Sequence, residues 1–336
     1  MNGKRWAALG IAAALFFVSV VINLLSSFAL KGIDTDFTNF MASAEQPFTE
    51  EVVNKGNELK KIVILDVNGV IQDTGETGSF LQGAGYNHQD FMKKLNYIQE
   101  DDSVKGIIIK VNSPGGGVVE SAEIHDKLAE IQKKSKKPVY ISMGSMAASG
   151  GYYISTAAKK IYASPETMTG SLGVIMEGIN YEGLADKYGV DFVTIKSGKH
   201  KDIMSPTRKM TEEERQILQS MINNSYEGFV KVISEGRNIS IDQVKKIADG
   251  RVYDGRQAKD LQLIDGFGYL DDVVKQMKKQ EKLTGAQVVR YSDSLGLGSL
   301  FSMQAKKLMG ENVEMAGLMQ ILSKPNSPRL MYLYAE

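Results

Sequence analysis

The sequence contains no cysteine and only three histidines, His88, His125 and His200, in 336 residues. It therefore has no disulfide framework, no thiol nucleophile and no sulfur-ligated zinc or iron–sulfur centre. Three scattered imidazoles make a poor metal cluster, and neither cofactor nor metal is expected. An excess of charge is missing too, because 40 basic and 40 acidic side chains cancel. Phosphate-backbone binding needs a basic bias, so nucleic acid is not expected as a partner. What remains is ordinary globular material, 43% hydrophobic and 24% charged, enough to bury a core.

Long uncharged stretches are scarce as well, with one exception. Trp6 to Leu30 carries no charged residue over 25 positions. As a helix it would span about 37 Å, enough to cross a hydrocarbon core of about 30 Å. Lys4 and Arg5 precede it and Asp34 and Asp36 follow, so the positive-inside rule places the N-terminus in the cytoplasm and the body outside. The rival is a cleaved signal peptide, for which Ser27-Phe28-Ala29 and Ala42-Ser43-Ala44 offer small-x-small sites. The apolar run exceeds the usual 7–15-residue core of such peptides, which favours a retained single-pass anchor in the cell membrane.

The expected organisation is an anchor in residues 1–30, a polar linker in 31–59, an α/β domain in 60–291 and an irregular C-terminal extension in 292–336. Lys61–Val67, Gly106–Val111 and Pro138–Met143 are near-continuous apolar runs, the pattern of strands covered on both faces. Asn68-Gly69 reads as a hairpin-type turn. Short strands are expected at 160–163, 191–196 and 288–291, and helices at 90–99, 151–159, 181–188, 241–248 and 270–279. Thr211-x-x-Glu214 opens a long amphipathic helix with a capping box, and Gly236 is a plausible stop. Alternating strand and helix imply a largely parallel sheet with a helical C-terminal arm.

Two junctions are built of residues too small to fill a core. Ser113-Pro114-Gly115-Gly116-Gly117 lets backbone N–H groups approach a ligand, yet lacks the Lys-Ser/Thr of a nucleotide loop. Such a loop suits a developing oxyanion, and a plain tight turn equally. Met143 to Tyr153 places Ser149 between Ala148 and Gly150 at a helix start, as a nucleophile or as a close-packing residue. A serine nucleophile needs a base. His200 is the best-placed imidazole, while Lys196, Lys199 and Lys201 lie in the same segment. A lysine base must lose about 3 units from a pKa of about 10.4, roughly 4 kcal/mol, by desolvation.

Asn112–Gly117, Ser142–Tyr152, Thr169-Gly170-Ser171-Leu172-Gly173, Gly198–Lys201 and Gly250–Gly255 stand in order with characteristic spacing. From about residue 60 to about 280 the chain resembles the signal peptide peptidase A (protease IV) family, in its short single-core form. The resemblance implies a ClpP/crotonase-like core of stacked β-β-α turns. It assigns Ser149 as nucleophile, Lys201 as general base and Ser171 as the hydroxyl that orients the lysine. Gly116 and Gly150 would form the oxyanion hole. It also implies a dome-shaped ring of eight, with the Ser and Lys of each dyad from neighbouring subunits.

Remnant signal peptides and similar apolar peptides at the extracytoplasmic membrane face are the implied substrates. The alternatives are a crotonase-like acyl-CoA enzyme using carboxylate acid/base groups, and a non-catalytic membrane-associated scaffold ring. The tail Leu330 to Ala335 is apolar like the expected substrates, and self-binding in an active-site groove is a further expectation beside a plain packed strand.

Overall fold

The structure is a computed structural model that describes residues 15–20, 48–73, 86–293 and 329–334. The expected anchor lies outside the described residues except for 15–20, which are helical and exposed. Among the described residues no helix is long and apolar enough to cross a membrane. Contacts divide the chain into Met1–Thr49 and Glu50–Glu336, and the larger unit carries everything that follows.

In chain order the strands are β1 (Phe48–Asn54), β2 (Asn57–Asn68), β3 (Val104–Ser113), β4 (Gly115–Gly117), β5 (Val139–Ala148), β6 (Lys160–Ala163), β7 (Met168–Gly170), β8 (Val252–Tyr253), β9 (Gly266–Phe267), β10 (Ala286–Asp293) and β11 (Met331–Leu333). The helices are α1 (His88–Glu100), α2 (Val118–Lys134), α3 (Gly150–Ser155), α4 (Glu182–Lys187), α5 (Glu212–Arg237), α6 (Ile241–Ile247), α7 (Gly255–Asp260) and α8 (Leu270–Gln280).

The continuous apolar runs became the centre of the sheet, for the reason expected. Strands β10, β2, β3, β5 and β6 are mutually parallel neighbours in that order. Side chains alternate across a strand, so a strand covered on both faces must be apolar throughout. One face packs Ile62, Ile64, Ile108 and Tyr140 against Val273 and Met277 of α8. On the other, Val63, Leu65, Ile107 and Ile109 are fully buried, as are Leu95, Ile98, Ile124, Leu128 and Ile131 of α1 and α2. The C-terminal arm is helical from 212 to 280 apart from short strands, as the sequence indicated.

Local expectations fail where one residue type serves two purposes. Asn68-Gly69 is not a hairpin. Gly69 has φ +82°, and the chain runs on so that Ile71 bridges Gly116 in parallel. Strand β5 extends through the small residues to Ala148, because Met146–Ala148 pair with β7. Residues 191–196 form no strand and are exposed, with no neighbouring strand among the described residues to pair with. Gly236 does not end α5, which continues to Arg237 and is closed by Asn238 at φ +54°. Strand β1 falls within the stretch read as polar linker, and β11 within the C-terminal extension.

Gly236 instead admits close packing, since a methyl there would collide with the Thr156 carbonyl. Gly228, in the same helix, has nothing within 4 Å of the corresponding position. Two substitutions should therefore act in opposite directions. Gly228→Ala is expected to gain up to about 1 kcal/mol of helix propensity. Gly236→Ala should lose about 1–3 kcal/mol through overpacking despite the same propensity gain. Denaturant midpoints of the two variants against the parent protein check this.

Candidate active site

Three chain segments converge where β3 and β5 end. Strand β3 turns through Pro114 into the short β4, whose Gly115 has φ +101°. Ile71, arriving from β2, is stitched to this turn by Ile71 N–H to Gly115 O and Gly117 N–H to Ile71 O, both 2.8 Å. A methyl on Gly116 would collide with Ile71 main chain, and one on Gly115 would lie 2.6 Å from Gly150 N. A methyl on Gly150 would lie 3.1 Å from Gly116 N. The main chains of 115–116 and 150 thus pack directly on each other, which only glycine permits.

Ser149 sits on the strand-to-helix turn between β5 and α3 with φ +53° and ψ −115°. This is a strained conformation for a residue with a Cβ, costing on the order of 1–3 kcal/mol. Its N–H donates to Gly170 O at 2.8 Å, and its carbonyl accepts from Tyr153 N–H at 2.8 Å. The side chain is 1% exposed, yet Oγ has no hydrogen-bond partner among the described residues. Ser171 follows Gly170, at φ +50°, buried, with its N–H donated to Arg251 O at 2.7 Å. It lines a cavity of about 500 Å³ with Ile175, Ile222, Tyr226 and Leu333.

Sequence reasoning thus placed Ser149, Ser171, Gly116 and Gly150 in one neighbourhood, and the structure brings them together. Lys201 it does not bring in. Lys201 is exposed, in a run of turns from 198 to 204, and Ser149 Oγ receives no hydrogen bond from it. That run is nevertheless held firmly. Arg208 grips Asp202 (Nε to Oδ2 2.8 Å, Nη2 to Oδ1 2.8 Å) and Glu214 (Nη1 to Oε2 2.9 Å, Nη2 to Oε1 2.5 Å). Lys196 adds a bond to Asp202 at 2.6 Å. Glu214 is also the carboxylate of the α5 capping box. His200 pairs with Glu213 at 3.2 Å, and Lys199 also bonds Glu213, so both are engaged at the surface. His88 meets Glu123 on α2 at 2.6 Å and Tyr86 at 2.7 Å.

A seat for an extended peptide is occupied by the tail, one of the two arrangements expected of it, although the register and lining of that seat were beyond sequence reasoning. Strand β11 pairs antiparallel with β4, matching Met331, Tyr332 and Leu333 to Gly117, Gly116 and Gly115. On its other side Met331 and Ile175 exchange two 3.0 Å backbone bonds. Tyr332 is 2% exposed, its ring 4.9 Å from Tyr153 in a stacked arrangement and 4.6 Å from Phe229. Its hydroxyl donates to Ser225 O at 3.0 Å, and burial raises its pKa. Its carbonyl oxygen lies 3.1 Å from the place a Gly150 methyl would take, beside Gly116 N. The tail was legible as apolar, but its register on β4 was not.

A buried serine on a strained turn, two glycine main chains beside a peptide carbonyl, and a peptide laid along a strand edge describe the site of a peptide hydrolase. Residues 131–284 match peptidase family S49, and residues 84–169 match the Clp protease family. The chain is 46% identical over 308 residues to an Enterococcus faecium protein described as a candidate signal peptide peptidase SppA, covering 89% of this chain and 88% of that one. The chain belongs to peptidase family S49. It is a serine peptidase with a Clp-like α/β domain. It is also 34% identical to Protease 4 of Haemophilus influenzae over 83% of this chain and 47% of that protein. With the chloroplastic serine protease SPPA of Arabidopsis thaliana it shares 30% identity, over 65% of this chain and 34% of that one.

The Arg208 clamp makes a pH prediction. Hydrogen bonds from Arg208 and then Lys196 lower the Asp202 pKa, and Arg208 with the Thr211 N–H lowers that of Glu214 to about 2. Carboxylates held below their unfolded value of about 4 stabilise the folded segment above that pH, and the contribution is lost as pH falls toward 2. Amide exchange in 196–214 is expected to accelerate between about pH 4 and pH 2, ahead of the β3 and β5 amides. Arg208→Gln should show the same local acceleration already at pH 7, read by exchange mass spectrometry.

Proposed function

We propose that the protein is a membrane-anchored serine endopeptidase that degrades remnant signal peptides and similar apolar peptides at the extracytoplasmic membrane face. The observation that carries this is the tail on β4, an apolar segment seated with the Tyr332 carbonyl beside Gly116 and Gly150, the residue after Ser149. Main-chain pairing with a sheet edge accepts many sequences, and one deep aromatic seat selects among them. A peptidase that clears apolar remnants needs that combination.

In this reading Ser149 Oγ attacks the carbonyl carbon as its proton passes to a neutral Lys201 Nζ. The N–H groups of Gly116 and Gly150 stabilise the oxyanion, where preorganised donors are worth most. The tetrahedral species collapses, the C–N bond breaks, and Lys201 returns the proton to the leaving amine. Water, deprotonated by Lys201, then hydrolyses the acyl-enzyme. Ser171 orients the lysine.

Lys201 would come from a neighbouring copy in a ring of eight. Two facts support this: Lys201 is exposed in its own chain, and an apolar surface precedes it. Ile179 (67% exposed), Tyr188 (79%), Val193 (88%) and Ile195 (96%) are too many large apolar groups for an uncovered segment. Burial against a second copy would also strip water from the ammonium, and desolvation favours the neutral amine that a base requires. The finer fold reading, stacked β-β-α turns after an N-terminal transmembrane anchor in 1–30 and a linker in 31–59, belongs to the same proposal.

A ring that binds peptides without cutting them would use the same seat, and the chemistry separates the two. Ser149→Ala and Lys201→Ala are each expected to reduce peptide cleavage by at least about 10³-fold. His200→Ala and Lys199→Ala should retain most of it. A serine-directed phosphonate should label Ser149 in the parent protein and not in Ser149→Ala. Substantial turnover in Lys201→Ala would remove the dyad.

The tail supplies an internal test. With Tyr332 O at the oxyanion position, the cut falls between Tyr332 and Leu333 and releases Leu333–Glu336. Intact mass should show that loss in active protein and not in Ser149→Ala.

A further inference from the structure

Ahead of Tyr332 the tail makes one charged contact that general apolar recognition does not require. Arg329 donates from Nη2 to Gln72 Oε1 at 2.9 Å, and its Nη1 lies 3.9 Å from Glu120 Oε1. The two receiving groups come from separate elements. Gln72 follows the Ile71 bridge to Gly116, and Glu120 is in the first turn of α2, directly after β4. Glu120 is also held by contacts that do not involve the tail. Its Oε1 accepts the Asp73 N–H at 3.1 Å, and its carboxylate folds over Gly117 so closely that a methyl there would collide with it. The Glu120 side chain is 14% exposed and that of Arg329 47%.

We propose that Gln72 and Glu120 form a subsite for a guanidinium or ammonium group, three residues before the residue whose carbonyl lies beside Gly150. The peptides preferred here carry Arg or Lys at that position, followed by apolar residues that run to the cut. This rests on the reading that the tail marks the substrate path. Its geometry has a chemical basis. Backbone pairing fixes the register of the peptide, with Val118 N–H toward Leu330 O at 3.5 Å and Tyr334 N–H to Pro114 O at 2.9 Å. A fixed register lets a carboxylate at the entrance measure distance from a charge to the cut.

A signal peptide has a positively charged region followed by an apolar one. A cationic subsite at the entrance and an aromatic seat further on match the junction between the two regions. The subsite would therefore direct cleavage to the start of the apolar stretch, which separates the charged end from the membrane-seeking remainder. Glu123 and Asp73 stand in the same neighbourhood as Glu120, and all three act on the buried Tyr86 hydroxyl.

The test uses the full chain in detergent and three peptides of the form X-Leu-Met-Tyr-Leu-Tyr, with X as Arg, Gln or Glu. Binding to Ser149→Ala by competition anisotropy tests the subsite without needing turnover, and cleavage by the parent protein tests the activity separately. The tail competes equally with all three, so the ratios are unaffected. Affinity is expected to fall about threefold from Arg to Gln and about threefold again to Glu, the range of a half-exposed pair. In 1 M salt the series should flatten. In Glu120→Gln the Arg preference should shrink toward unity while all three peptides still bind. Equal affinities for Arg, Gln and Glu in Ser149→Ala at low salt would overturn the subsite, even if all three peptides are cut. A series that holds in binding while no peptide is cut would sustain the subsite and sink the peptidase reading.

Discussion

Everything at this site depends on main chains touching where side chains normally intervene. Gly115 and Gly116 lie against Ile71 on one side and Gly150 on the other, with no room for a methyl at any of the three glycines. Parallel strands ending at a common edge would ordinarily be separated there by their side chains. Removing those side chains lets β4 turn its N–H and C=O groups outward, and an extended peptide can complete them. The same contact brings the N–H-bearing atoms of 116 and 150 within reach of one carbonyl. Ser149 takes its strained φ because the turn must pass that glycine pair, and the ladder from Ser149 N–H to Gly170 O holds it there. The buried sheet beneath is what offsets the strain.

Under the proposed shared dyad, the same constraint would leave each chain with half of a catalytic apparatus. The glycine-rich edge is rigid and completed within one subunit, and its serine is buried with no partner among the described residues. The segment bearing Lys201 has no strand or core of its own. It is fastened by Arg208 to Asp202 and Glu214, an ion-pair arrangement that orders an exposed turn without burying it. In the proposed assembly Lys201 would be delivered across an interface, where order beforehand limits the entropy lost on docking. Folding the Glu214 carboxylate into both the clamp and the α5 capping box ties the lysine loop to the longest helix in the domain.

Much of this was readable in the sequence because the strands obey a single rule. Lys61–Val67 and Gly106–Val111 are apolar except at Lys61, Asp66 and Lys110, which are only half-buried, because both faces of the remaining stretch are covered. The capping box at Thr211 and the small-residue junctions at 113–117 and 143–151 were equally plain. What failed had a shared cause, namely partners distant in sequence. Residues 191–196 read locally as a strand, but among the described residues no strand lies beside them. Gly236 has the composition of a helix stop and serves instead as a contact for Thr156. The partner of His88, Glu123, arrives from another helix, 35 positions away in sequence. The seat for Tyr332 needs Tyr153, Ser225 and Phe229 at once, and no local spacing connects them.

The aromatic seat and the acidic entrance are best understood as two ends of one ruler. Tyr332 is held by stacking on Tyr153 and by a hydroxyl bond to Ser225 O, which together favour a flat, tipped side chain over a branched aliphatic one. Arg329 is held by charge at the opposite end. Between them the peptide is bound through its backbone, where sequence matters little. A peptidase meeting many unrelated apolar remnants cannot read their interiors, which differ only in the order of similar side chains. It can read where charge stops and greasy sequence begins, and a β-strand edge of fixed pitch converts that boundary into the position of the cut.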